Sequence, residues 1–145
     1  MTEMPRFATI EHGGPDYAEA IRLRDDLLIN PAGRVTTPEE VEAERALTHV
    51  AGFVGDWLCA TCLLVFEPGR VRMKRVAVDP SVQAQGIGTG MLKFCERHAE
   101  VNGVRELYAH ARDNAVRFYE KNGYATEGDY FDEVGIPHIV VRKRW

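Results

Sequence analysis

A glycine-rich segment between a strand-like run and a helix-like run is the part of this sequence best suited to chemistry. The pattern predicts that residues 76–78 end a strand, and glycines follow at 86, 88 and 90. After the glycines, Met91, Leu92 and Cys95 have the spacing of the apolar face of a helix. The first N–H groups of a helix lack intrahelical partners and lie at the positive end of the helix dipole. Residues 83–90 therefore predict an anion site that can hold a phosphate without a lysine, and glycine lets a ligand approach the backbone closely.

Two common phosphate loops fit this segment poorly. A nucleoside-triphosphate loop needs Lys and Ser or Thr after its last glycine, whereas Thr89-Gly90-Met91 follows Gly88. A dinucleotide loop needs a third glycine at position 91, which is Met91, and a βαβ unit, whereas the preceding strands read as a meander. The sequence therefore disfavours both nucleoside-triphosphate hydrolysis and dinucleotide binding.

Cys59 and Cys62 have the spacing of a redox or metal pair. They lie inside a strand-like run, no second cysteine pair is present to complete a zinc site, and no helix begins at Cys59 to lower its pKa. We expect these thiols and Cys95 to be free and to pack in the core, and we predict no metal site.

The spacing Gln83-x-x-Gly86-x-Gly88 resembles the GNAT superfamily of acyl-CoA-dependent N-acetyltransferases. A second motif lies about 30 residues further on, where residues 115–124 carry the Phe118-Tyr119 pair and the Gly123-Tyr124 step. The ending Gly135-Ile136-Pro137-His138 resembles that of the ElaA-like subgroup. The N-terminal half, which usually shapes the acceptor pocket, matches more weakly.

The resemblance implies that the glycine loop binds the pyrophosphate of acetyl-CoA and that the strand before it lines the same cleft. Arg112, which stands where the superfamily commonly has Asn, would reach a CoA phosphate. The cofactor-binding residues expected on this basis are Val76, Ala77, Val78, Gln83, Gln85, Gly86, Ile87, Gly88, Thr89, Gly90, Arg112, Asn114 and Phe118.

The resemblance also implies that Tyr119 faces the CoA sulfur. A phenol of pKa about 10 can protonate a departing thiolate of pKa about 8.5, so Tyr119 is the expected general acid. A backbone N–H near Val78 would polarise the thioester carbonyl. No cysteine lies in the expected cleft, so the amine would attack directly in a ternary complex.

The expected general base departs from the superfamily pattern, because Lys74-Arg75-Val76 stands where the superfamily often has a glutamate. By the order of the elements, His110 and His138 are the imidazoles nearest the cleft, and imidazole suits proton removal at neutral pH. We expect His110 as the base, with Glu133 and His138 near the acceptor. The rival function is a non-catalytic acyl-CoA-binding or regulatory module.

Length and composition set the remaining bounds. The 145 residues form about one domain, residues 1–145. With 18 basic and 22 acidic side chains the formal net charge is −4, which argues against nucleic acid and membrane partners. The N-terminal segment lacks the pattern of a secretion signal, and the chain lacks the roughly 20 consecutive apolar residues of a membrane span. We expect a cytoplasmic protein whose exposed edge strands would allow a homodimer.

The order of elements favours a mixed α/β (α+β) fold. Strand patterns lie at 6–11, 48–54, 57–66, 70–78, 105–111, 125–131 and 137–144, and helical patterns at 17–28, 37–46, 89–102 and 114–122. The resemblance implies a GNAT fold, with a mostly antiparallel sheet of about six to seven strands flanked by about four helices.

Overall fold

The alternating runs of the sequence form one seven-stranded sheet in the computed structural model, which describes residues 4–145. The first three residues, part of the segment in which no secretion signal is predicted, lie outside the described range. The strand order is β1-β2-β3-β4-β5-β7-β6, and every neighbouring pair is antiparallel except β4 and β5. The strands are β1 (Arg6–Ile10), β2 (Thr48–Val54), β3 (Trp57–Glu67), β4 (Arg70–Val78), β5 (Glu106–Arg112), β6 (Ala125–Glu133) and β7 (Ile136–Arg144). The expected mixed α/β fold class is confirmed.

Four α-helices connect the strands: α1 (Pro15–Arg24), α2 (Pro38–Ala43), α3 (Ile87–Val101) and α4 (Val116–Lys121). The first helix was expected to reach residue 28, but its α-helical part ends at Arg24. A π-helical turn, Asp25–Ile29, and a 3₁₀ turn, Asn30–Ala32, follow it. The Asn30 N–H bonds to the Asp25 carbonyl, and Pro31, which has no N–H, cannot extend the helix.

The capping box expected at the start of α2 is present. The Thr37 hydroxyl accepts a hydrogen bond from the Glu40 N–H at 3.2 Å, and the Glu40 carboxylate accepts one from the Thr37 N–H at 3.3 Å. The helix ends at Ala43, three residues before the expected boundary at 46.

The helix after the glycine loop begins earlier than the sequence pattern predicts. A 3₁₀ turn, Pro80–Gln85, follows β4, and α3 starts at Ile87 instead of residue 89. Gly88 and Gly90 therefore lie in the first turn of α3. A Cβ atom on Gly90 would lie 2.6 Å from the ring of Phe7, so this glycine lets β1 pack closely against the helix.

Apolar side chains cover both faces of the sheet. One face packs against α3 and α4 through residues such as Val50, Met73, Leu92 and Leu107. Ala51 follows Val50 in β2 and so points to the opposite face, where it packs with Ala20 of α1. The sheet thus separates a layer containing α3 and α4 from a layer containing α1.

Candidate active site

The two central strands separate at one end and leave an opening in the sheet. The parallel pair β4 and β5 is in register only where residues 71–73 lie beside residues 107–109. Beyond Met73, β4 continues to Val78 paired with β3 alone, while β5 continues to Arg112 paired with β7. The edges of β4 and β5 that face each other are unpaired there, and both strands lead into helices at this end.

A β-bulge distorts β4 at the start of this opening. Thr61 pairs with Ala77 and Leu63 pairs with Lys74, so Arg75 and Val76 together lie opposite Cys62. Arg75 has a φ of 55°, which is rare for a residue with a side chain. A bulge of this kind bends a strand and redirects its side chains.

The end of β4 presents backbone groups to the opening. The Asp79 N–H donates to the Cys59 carbonyl at 2.8 Å, so the N–H and carbonyl of Val78, one residue earlier, face the other edge of the strand. The Gln83 side-chain amide donates to that Val78 carbonyl at 3.0 Å. The expected hydrogen-bond donor near Val78 is therefore directed into the opening, and Gln83 ties the glycine loop to it.

Gly86 forms the junction between the loop and α3. Its φ is 78°, which is in the left-handed region, and a Cβ atom there would meet nothing within 4 Å. Glycine is therefore favoured for its backbone conformation, not for lack of space. The Gly90 N–H donates to the Gly86 carbonyl at 3.0 Å, so only the N–H groups of residues 87–89 remain free to bind a ligand. Gly90 instead allows the close packing of Phe7 against α3.

The first turn of α3 is also bound to α4. A Cβ atom on Gly88 would lie 3.3 Å from the Phe118 ring, and the Asn122 amide donates to the Thr89 hydroxyl at 3.5 Å. The two motifs recognised in the sequence are thus neighbours in space. Gln85, which was also expected at the cofactor site, is exposed on the loop.

Tyr119 lies deeper than Phe118. Tyr119 is 5% exposed and belongs to the main core, where its ring packs edge-on against Tyr124 with centroids 5.6 Å apart. Burial raises the pKa of the Tyr119 phenol, and the thiols of Cys62 and Cys95 raise it further. This phenol therefore stays protonated across the neutral range.

The thiols themselves are core groups. Cys59, Cys62 and Cys95 are free and buried, as expected, and the sulfurs of Cys62 and Cys95 lie 3.6 Å apart. Burial raises the pKa of the Cys59 thiol, which disfavours the reactive thiolate. Within residues 4–145, no group of three His, Cys, Asp or Glu side chains is arranged to hold a metal ion.

His110 belongs to a charged cluster on the sheet face away from α3. Its Nδ1 lies 2.9 Å from the Glu133 carboxylate and 3.0 Å from a guanidinium nitrogen of Arg72. One nitrogen cannot donate to Glu133 and accept from Arg72 at the same time. When Nδ1 carries the proton and donates to Glu133, Nε2 is left as the basic nitrogen.

Glu133 links both candidate imidazoles. Its second oxygen lies 3.7 Å from His138 Nε2, and His138 Nδ1 lies 2.8 Å from the Ile136 carbonyl. Burial alone would raise the pKa of the Glu133 carboxyl, but the hydrogen bond from His110 and the nearby charges of His110, His138 and Arg72 lower it overall. The structure therefore brings His110, His138 and Glu133 together.

Arg112 is the last residue of β5, at the open end of the sheet, and Asn114 follows it. Arg112 is paired in register with His138 and is half-buried, whereas Asn114 is exposed on the short 3₁₀ turn Asp113–Ala115. Within residues 4–145, Arg112 forms no ion pair.

Sequence reasoning missed Arg72 and the β4 bulge. Arg72 occupies an alternate position of an ordinary strand, so nothing in the pattern marks it as a partner of His110. The bulge at Arg75 lacks the glycine that would indicate a positive φ.

Family comparison agrees with this geometry. The model of the acetyltransferase (GNAT) domain family matches residues 60–145, which contain the β4 bulge, the glycine loop and α4. The chain belongs to the GNAT acetyltransferase family. Each helix within residues 4–145 of this GNAT protein falls short of the length and apolar character that a membrane crossing requires.

Individual relatives extend the likeness over the whole chain. The uncharacterized N-acetyltransferase YjcF of Bacillus subtilis is 25% identical over 138 residues, which cover 94% of this chain and 98% of that protein. The structure of Escherichia coli ElaA superposes with a TM-score of 0.78 at 18% identity, covering 97% of this chain and 100% of ElaA. A GNAT family acetyltransferase from Elizabethkingia anophelis, solved with acetyl-CoA bound, gives a TM-score of 0.72 at 16% identity and covers 97% and 98% of the two chains.

Proposed function

We propose that this GNAT protein, acting as one domain over residues 1–145, transfers an acetyl group from acetyl-CoA to a primary amine by direct attack in a ternary complex. The observation that carries the proposal is the opening between β4 and β5, which leads to the N-terminus of α3. The unpaired strand edges would hold the extended thioester arm, and the N-terminus of α3 would bind its phosphates.

The residues around the loop suit a CoA pyrophosphate. Gly86 turns the chain so that the free N–H groups of residues 87–89 point out of the helix end. Arg112, with no carboxylate partner within residues 4–145, suits a phosphate because its guanidinium can form two parallel hydrogen bonds. When bound, acetyl-CoA supplies the activated thioester carbon.

The proposed transfer conserves every atom and proton. The neutral nitrogen of the amine forms a bond to the acetyl carbon, and the carbon–sulfur bond breaks. The Val78 N–H donates to the carbonyl oxygen, where negative charge develops. Tyr119 gives its proton to the departing sulfur, and the base takes one from the nitrogen, so that a proton returned to Tyr119 completes the cycle.

His110 is the proposed base. Glu133 accepts a hydrogen bond from Nδ1–H and so keeps Nε2 free to take the amine proton. His138 and Glu133 would lie beside the acceptor. The Gly135-Ile136-Pro137-His138 ending and the likeness to ElaA support a place in the ElaA-like subgroup.

Titration calorimetry of the purified protein tests the ligand first. We expect acetyl-CoA and CoA to bind with micromolar affinity, and ATP and NAD to bind far more weakly. Release of free thiol from acetyl-CoA, followed across a panel of amines, then tests the transfer. A folded protein that binds neither acetyl-CoA nor CoA would overturn the proposed function.

A further inference from the structure

Five basic side chains lie close together on the side of the sheet away from α3, and we call this cluster the basic floor: Arg24 of α1, Arg34 of the loop before α2, and Arg72, Lys74 and Arg75 of β4. Three of them have carboxylate partners. Arg24 contacts Glu44 at 2.8 Å, Arg34 contacts Glu40 at 3.6 Å and Arg72 contacts Glu133 at 3.5 Å. Among residues 4–145, no carboxylate lies within 4 Å of Lys74 or Arg75.

These two uncompensated cations are partly removed from water. Both are about half-buried, and Nε of Arg75 is buried without a hydrogen-bond partner among the described residues. Burial, together with the charges of Arg72 and Arg75, lowers the pKa of Lys74. Burial and the charge of Arg24 likewise lower the pKa of Arg75. Unpaired, half-buried charge is costly, and an anionic ligand would offset that cost.

The β4 bulge explains why both cations share one face. Met73 packs in the core beside α3, so Lys74 points to the opposite face. Arg75 would normally return to the α3 side, but the bulge redirects it, and its side chain lines a small cavity under α1 with Tyr17, Arg24 and Leu63.

The position of the basic floor separates it from the CoA phosphates. Lys74 lies at the start of the opening; its partner Leu63 is three residues from Ala60, the partner of Val78, which is about 10 Å along a strand. The N-terminus of α3 lies beyond the far end of β4. The charges near Lys74 are those of Arg72, Arg75, Glu44 and Glu133, which cancel one another, so the charge of Lys74 itself is in excess on the face away from α3.

We propose that the acceptor is an amine that also carries an anionic group, a carboxylate or a phosphate, and that Lys74 and Arg75 bind this group. The inference rests on the proposed function and names its substrate class. The acid group would dock on the basic floor while the amine lies near Glu133 and His110. The same positive charge repels an additional ammonium ion, so simple polyamines would be poor acceptors.

Binding to the CoA-saturated protein tests this recognition without turnover. Calorimetry would compare each common L-amino acid with its amide, and phosphoethanolamine with ethanolamine. We expect at least one acid to bind roughly tenfold more tightly than its uncharged counterpart, in line with a charge-assisted contact. The two sets of probes distinguish a carboxylate from a phosphate.

Two outcomes would contradict the proposals separately. If no acid or phosphate binds more tightly than its neutral partner while CoA binds normally, the inference is overturned and the proposed function stands. Absence of CoA binding would instead overturn the proposed function.

Two substitutions locate the effect. Lys74→Met removes the charge and keeps the apolar stem, and we expect it to reduce the preference for the acid at least threefold without changing CoA affinity, which also reports the folded state. Lys93→Met, on the exposed surface of α3, is the matched control and leaves the preference intact. An acid preference that survives both Lys74→Met and Lys74→Glu would exclude the basic floor as its source.

Discussion

At the scale of single residues, substitution of Tyr119 tests the proposed acetyl transfer most directly. Its hydroxyl is proposed to protonate the departing sulfur, and its ring is already held by Tyr124 in the core. Tyr119→Phe keeps the ring and removes the proton. Because positioned acids contribute about 100-fold or more to rate, we expect kcat to fall at least tenfold with little change in acetyl-CoA affinity.

The matched control is Tyr130→Phe. Tyr130 is an exposed tyrosine of β6 whose hydroxyl donates to Asp113 at 2.9 Å, so its loss should leave kcat unchanged. Steady-state kinetics and calorimetry measure both effects. A Tyr119→Phe protein with unchanged kcat would remove this residue from the mechanism.

Residue types in the sequence predicted the loop better than they predicted the charged cluster. Gly86 and Gln83 could be recognised because a helix end and its glycine occur at a fixed local spacing. The contacts of His110 with Arg72 and Glu133 join residues 38 and 23 positions apart. Such contacts depend on which strands become neighbours, and no local pattern contains that information.

At the scale of elements, the start of α3 depends on the conformation of Gly86. A valine at φ 78° costs about 1–2 kcal/mol and distorts the N–H groups that follow it. Gly86→Val should therefore weaken CoA binding at least tenfold in a protein that still folds. Calorimetry with CoA measures this loss.

Gly69→Val is the appropriate comparison. Gly69, in the turn before β4, has a φ of 74° and, like Gly86, has nothing within 4 Å of an added Cβ atom. The backbone strain is the same, but the site lies far along the chain from the loop. Equal loss of CoA affinity in both variants would mean that strain alone, and not the loop, explains the result.

The segment between α1 and β2 is held by a buried ion pair. Arg24 of α1 and Glu44, just after α2, are 2% and 7% exposed and contact each other at 2.8 Å. Arg24→Leu would leave the Glu44 carboxylate buried without its partner, so the free energy of unfolding should fall by about 3–5 kcal/mol. Urea denaturation measures this change.

The double variant Arg24→Leu, Glu44→Leu separates pairing from burial. It removes both charges, and replacing a buried pair by apolar groups is often nearly neutral. We expect it to recover much of the lost stability. A double variant that is less stable than Arg24→Leu would show that loss of the ion pair does not account for the lower free energy of unfolding of Arg24→Leu.

At the scale of the whole molecule, the sequence predicted all seven strands and the succession of β4, glycine loop and α3. It could not predict that β4 and β5 separate after Met73, because strand separation depends on register between segments more than 30 residues apart. The bulge at Arg75 was missed because no glycine marks its positive φ. The π-helical turn after Arg24 was missed because Leu27 and Leu28 continue the helical spacing of the apolar residues. Of these irregularities, only the π-helical turn lies in the N-terminal half, where the resemblance to the family is weakest.

Stability of the whole fold should fall on acidification in two stages. Burial, helped by the charges of His12 and Arg24, lowers the pKa of His49 below its ordinary value of 6.5. Unfolded chains then bind a proton at a higher pH than folded ones, so stability is lost as pH falls below 6.5 through the lower folded value. A second loss follows below about pH 4.5, because Glu67, Glu106 and Glu133 also have lowered pKa values in the fold.

His49→Gln isolates the first stage. A glutamine amide can still donate to the Glu44 carbonyl, which His49 Nε2 contacts at 2.9 Å, but it does not titrate. Urea midpoints measured at pH 7.5, 6.0 and 5.0 should fall for the wild-type protein and stay nearly level for His49→Gln. A further measurement at pH 3.5 should show loss of stability in both proteins. Parallel pH dependence of the two proteins between pH 7.5 and 5.0 would assign the first stage to other groups.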